Sequence, residues 1–215
     1  MKKVSIFLIA LCCFSCLLCA AVSAESVVFL DGTGNTEGAY TTLKEAAAAL
    51  PNGGTIVVSG ETSITSGFNL AAASGKVTLT SLWEGVNYAE TNDAKLCLSY
   101  RTSATATQAS QVLGMGTETE WHDITLCNAS DVPQMIAARG YALTIGENVI
   151  CTTTSTSEKT AYPSLIGCYL YAAANEKNVH LTVHSGTWHS IFGGNWQGTF
   201  TGTSFVTFEG GEVLH

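Results

Sequence analysis

From Gly54 onward the chain shows no helical period, and an apolar–Thr–apolar triplet recurs instead. It stands at Val77-Thr78-Leu79, Ile124-Thr125-Leu126, Leu143-Thr144-Ile145, Leu181-Thr182-Val183 and Val206-Thr207-Phe208. Side chains alternate between the two faces of a strand, so each triplet puts two apolar groups on one face and a hydroxyl on the other. The central Thr residues lie 47, 19, 38 and 25 positions apart, the long gaps being about twice the short ones. Strand-like runs fill those gaps: "KLCLS" around Cys97 and "SLIGCYL" around Ile166, while "TIVVSG" around Val57 lies 21 residues before Thr78. About eight short strands at this spacing predict a stacked repeat.

Several repeat types are excluded by residue pattern. Leucine-rich repeats need a Leu-x-x-Leu-x-Leu run with Asn, which is absent, and helical repeats need helices. A β-sandwich stays as the alternative, although its strands recur every ~8–12 residues with hairpin turns. The pattern fits an all-β parallel β-helix (solenoid) better. Its coils turn apolar positions inward and align outward Thr residues in a ladder. The run Leu181 to Trp188 aligns with Val206 to Val213 at an offset of 25, with Gly186 matching Gly211 at a corner. Gly193-Gly194 is predicted as a further corner.

One helix is predicted. In "AYTTLKEAAAALPNGG", Thr42 is the N-cap and Glu45 completes a capping box. Leu43, Ala46, Ala47 and Leu50 share a face, and Pro51-Asn52-Gly53 ends the helix. Such a narrow, Ala-rich face suits an open end of a sheet stack. Before it, residues 1–24 read as a secretory signal: Lys2 and Lys3, the apolar run Ile6 to Val22, and Val22-Ser23-Ala24 ahead of a cut before Glu25. A membrane anchor is the competing reading of that run. The domain layout is therefore 1–24 signal, 25–54 strand and capping helix, 55–215 coils.

Composition narrows the function. The chain carries 9 basic and 17 acidic residues, net charge −8. Loss of the leader removes two basic residues and no acidic one, which leaves −10. That balance argues against nucleic acid and anionic membranes as partners. Cys97, Cys127, Cys151 and Cys168 follow the leader, enough for two disulfides in three pairings, or for small apolar side chains in a core. No Cys-x-x-Cys spacing among them points to zinc.

The segment "VVFLDGTGNTEGAYTTLKEAAAALPNGGTIVVSG" resembles the entry into right-handed parallel β-helix proteins of the pectin-lyase-like superfamily. The segment "LTVHSGTWHSIFGGNWQGTFTGTSFVTFEGGEV" resembles the Gly-Gly-Thr coils of exported bacterial surface or adhesin-like β-helix proteins. The likeness covers both ends of the chain and only loosely Ala89 to Leu170. It implies a right-handed parallel β-helix on an exported or surface protein. For activity it implies a choice, since the scaffold carries polysaccharide lyases, glycosidases and inert stalks alike. The carboxylate cluster that binds calcium in the lyases has no counterpart in the sequence, where Asp31, Asp93, Asp123 and Asp131 are the only Asp residues.

Candidate site residues are few. Asp123, next to His122 and just before a strand, is the best catalytic candidate, against the plainer reading of a turn Asp capping its own backbone. Asp31-Gly32-Thr33-Gly34-Asn35 reads as a turn into the helix. His180 and His184 alternate along a strand and, with His189, make a candidate metal set. Trp188 and Trp196, with Tyr162, Tyr169 and Tyr171 near in sequence, make a candidate sugar platform. Trp188 aligns with Val213, which argues for the core, so Trp196 is the more exposed ring. Asn128-Ala129-Ser130 matches a glycosylation acceptor. No cap follows "FEGGEVLH", which predicts either further coils of the same chain or self-association at that end. The expected function is a secreted or cell-surface scaffold that binds or displays, with glycans or a host surface as partner and no cofactor. A carbohydrate-active enzyme on the same fold is the alternative.

Overall fold

The computed structural model of the protein describes residues 26–103, 111–156, 162–169, 171–175 and 177–215. The predicted signal and its cleavage site lie outside the described residues. Three parallel sheets dominate. The first has seven strands: Val27–Leu30, Gly54–Val58, Val77–Thr80, Thr119–Trp121, Ala142–Ile145, Val179–Val183 and Ser204–Phe208. The second stacks Glu61–Ile64, Lys95–Leu98, Thr125–Asn128 and Ile150–Thr153. The third stacks Asn69–Leu70, Leu113–Met115, Met135–Ala137, Ser164–Ile166 and Ile191–Phe192.

From Gly54 to Ile166 the chain visits the three sheets in turn, so each circuit builds one tier against the last, and beyond it Thr187–Trp188 and Glu212–Val213 pair in a small parallel sheet of their own. Among the described residues the sole antiparallel pair is a hairpin, Leu82–Trp83 with Val86–Asn87. The fold is thus all-β with stacked parallel sheets, compatible with a β-helix or solenoid, and a sandwich of antiparallel sheets does not form. The offset of 25 holds in space, for Leu181 pairs with Val206 and Trp188 with Val213. Gly186 and Gly211 turn the corners at φ 92° and 91°, values that favour Gly. Gly193 and Gly194 are not left-handed. They are small because a Cβ on them would lie 2.5 Å from Ser204 Oγ and 2.9 Å from the Phe200 ring.

One triplet falls elsewhere than its pattern implied. Thr55, Thr78, Thr144, Thr182 and Thr207 belong to one outward row of the first sheet, but Glu120 occupies the place between Thr78 and Thr144. Thr125 lies in the second sheet, opposite Ile150. The third tier turns its corner right after Trp121, so its triplet is carried one sheet onward.

Inside, apolar columns run through the tiers. Ile56, Leu79, Trp121, Ile145 and Val183 are register neighbours and fully buried. Phe208 continues the column and is 46% exposed. The predicted helix, α1, spans Leu43–Ala48, with Thr42 accepting from the Glu45 N–H at 3.2 Å. It buries Leu43, Ala46 and Ala47 in the same core as Leu30, Ile56 and Leu70. A second short helix, α2 at Tyr88–Thr91, carries an Asn87 cap that the apolar pattern gave no sign of.

Asp31 anchors the passage from the first strand to α1. Its Oδ1 accepts from the Thr33 N–H and hydroxyl at 3.0 and 2.5 Å, and its Oδ2 from those of Thr36 at 2.8 and 2.6 Å. The turn reading of this segment therefore holds, and the carboxylate is used up within the loop. Burial alone would push the Asp31 carboxyl up. The bonds from Thr33 and Thr36 outweigh it and hold the group at about 2, below its ordinary 3.8. A depressed pKa gives stability that is present above pH 3.8 and lost as pH falls through about 2. Asp31→Asn is expected to lower stability by ~1–2 kcal/mol at neutral pH. It should also flatten the acid limb between about pH 4 and 2, read as urea midpoints at pH 6 and 2.5.

Candidate functional site

The hairpin interrupts the tier pattern at one corner, and it builds a site. It leaves the corner between the first-sheet strand Val77–Thr80 and the second-sheet strand Lys95–Leu98. Glu84 and Gly85 at its tip have φ 50° and 82°, the left-handed pair of a two-residue turn that suits the twist of hairpin strands. Its base is fixed. The Thr80 hydroxyl accepts from the Leu82 N–H at 3.0 Å, the Ser81 N–H donates to the Asp123 carbonyl at 2.9 Å, and Tyr88 meets Phe29 edge to face.

Beside the hairpin, the outward face of the first sheet forms a groove of about 430 Å³, within the ~300–1,000 Å³ usual for small-molecule clefts. Thr55, Thr78 and Thr80 line it from the sheet, Leu82 and Trp83 from the hairpin. Lys76, Glu120 and His122 complete it. Lys76 Nζ meets Glu120 Oε2 at 2.5 Å, so these two charges cancel within the groove. Half-exposed as both are, the pair adds little to stability. The groove thus combines an indole, sheet hydroxyls, an imidazole and a paired carboxylate.

His122 and Asp123, neighbours in sequence, also meet through their side chains. His122 Nδ1 lies 2.7 Å from Asp123 Oδ2, and Asn148 Nδ2 donates to Asp123 Oδ1 at 2.8 Å. Asp123 also has φ 49°, as Asp93 and Asn148 have 53° and 57°. These three residues each precede a second-sheet strand. Asn and Asp tolerate such a corner better than other side chains. Asp123 therefore shapes a turn and also holds the His122 ring at the groove.

The other candidates are spread out. His180 stacks on Phe205 with centroids 4.8 Å apart. His184 Nδ1 lies 3.0 Å from Glu209 Oε2, and His189 packs on His215. Among the described residues no three His, Cys, Asp or Glu side chains converge as a metal set. Trp188 is fully buried, with its Nε1 donating to the Ser185 carbonyl at 3.0 Å. Trp196 is half-buried, edge-on to Phe192, against a small apolar cluster that includes Met135 and Ile166. Tyr169 lies under the Arg139 guanidinium instead. The Tyr171 side chain lies outside the described residues. Asn128 is fully buried and donates to the Val132 carbonyl, so a folded chain presents no acceptor there.

Sequence reasoning missed Trp83, Lys76 and Glu120. Lys76 and Glu120 are 44 residues apart and meet only through tier stacking. Trp83 had a readable signal, the Glu84-Gly85 turn between apolar residues. No family profile, curated protein or solved structure matches the chain.

Proposed function

We propose that the chain is an exported right-handed parallel β-helix of the pectin-lyase-like kind, a cell-surface scaffold that binds or displays. Its ligand is a neutral saccharide, taken in the groove beside Trp83. The observation that carries this reading is the pairing of one indole with a row of sheet hydroxyls in a single cleft. Sugars present apolar C–H faces to aromatic rings and hydroxyls to polar groups, which is the chemistry this cleft offers. Neutral ligands are favoured because Lys76 and Glu120 offset one another and the chain is acidic overall. The leader supports export, and parallel crossovers are right-handed in nearly all proteins.

A second reading, a carbohydrate-active enzyme, draws on the His122–Asp123 pair at the edge of the same groove. One experiment separates the two. The full chain is passed over immobilised gluco-, xylo- and manno-oligosaccharides and over polygalacturonate, with new reducing ends and unsaturated products assayed alongside. Retention on a neutral glycan without cleavage is the expected result. Cleavage abolished by His122→Ala would replace the scaffold with the enzyme, and retention on polygalacturonate alone would overturn the neutral ligand.

A further inference from the structure

Cys97 and Cys127 are register neighbours on adjacent strands of the second sheet. Their column runs Ser63, Cys97, Cys127, Thr152. It faces outward, since Leu96, Leu98 and Leu126 fill the core and the two Cys do not. Ser63 and Thr152 are exposed, whereas the Cys residues are only 6% and 5% exposed. Strand neighbours lie ~4.8 Å apart, inside the ~4.4–6.8 Å between Cα atoms that a disulfide spans. Cys151 is in register with Leu126 and packs against the core, and Cys168 is fully buried within it.

We propose that Cys97 and Cys127 are an oxidation site, forming a disulfide that staples the second tier to the third. Of the six pairs that the four Cys following the leader can form, only this one joins register neighbours. All four are thiols in this structure, so the bond needs an oxidant of the disulfide class. One thiolate attacks the oxidant's S–S bond, releasing one thiolate of the oxidant and leaving a mixed disulfide, and the second Cys thiolate attacks that disulfide at the protein sulfur and displaces the oxidant's other thiolate. One S–S bond forms as one breaks, and the two thiol protons pass to the thiolates released. Burial, and then the neighbouring Cys127 thiol, push Cys97 up to about 12. The thiolate is therefore scarce once the sheet is complete, and oxidation belongs to the stage at which the tiers assemble.

The test is refolding of the full chain in glutathione disulfide and glutathione, alkylation in denaturant, and peptide mapping without reductant. Trypsin places Cys97 in residues 96–101, Cys127 in 102–139, Cys151 in 140–159, Cys168 in 160–177, and the leader's Cys12, Cys13, Cys16 and Cys19 together in 4–44. The expected result is 96–101 joined to 102–139, released by reductant, with Cys151 and Cys168 alkylated. The joined form should melt about 5–10 °C above the reduced one. Alkylation of both Cys97 and Cys127, or a bond from either to a different Cys, overturns the proposal. Localisation and ligand play no part in this readout, so it stands or falls apart from the proposed function.

Discussion

Trp121→Ala is expected to cost about 3–5 kcal/mol of unfolding free energy, seen as a lower urea midpoint with an unchanged slope. Trp121 is fully buried and occupies the column between Leu79 and Ile145. The cost depends on whether neighbours can collapse into the space. Here they are held by the ladders of adjacent tiers, at a spacing of ~4.8 Å that the backbone sets, so the void stays open. Trp121→Phe should cost much less, about 1–2 kcal/mol, because the Nε1 it removes is buried without a hydrogen-bond partner. A loss below about 1 kcal/mol for the Ala variant would mean that the indole does not fill the core column.

Trp83→Ala is expected to weaken saccharide binding at least about tenfold while leaving the fold intact. Trp83 stands on a hairpin inserted at a corner, outside the stacked columns, and is only half-buried. Its loss removes the ring face at the groove and disturbs no core residue. Glu120→Gln gives a graded companion: it keeps the shape but leaves Lys76 without its carboxylate. Affinity should then shift toward acidic glycans. Equal binding by wild type and Trp83→Ala would locate any saccharide site elsewhere.

The tiers were legible where stacking repeats residue types. Leu181 to Trp188 and Val206 to Val213 align in sequence because successive tiers meet the same surroundings at each register position. The capping helix was legible because its signals are local: Thr42, Glu45 and Pro51 lie within one short segment. Long-range facts were not. Thr125 has the pattern of the outward row and lies in another sheet, since the triplet records strand alternation and not which sheet the strand joins. The site was half legible. His122 and Asp123 are sequence neighbours and stay together, whereas Trp83, Lys76 and Glu120 gather only through the tier register.

The most direct measurement is a crystal structure of the full chain with the neutral oligosaccharide that binds best. The account predicts a sugar ring against Trp83, with its hydroxyls toward Thr78, Glu120 and His122. Sugar density at Trp196, or none beside Trp83 under saturating ligand, would contradict it.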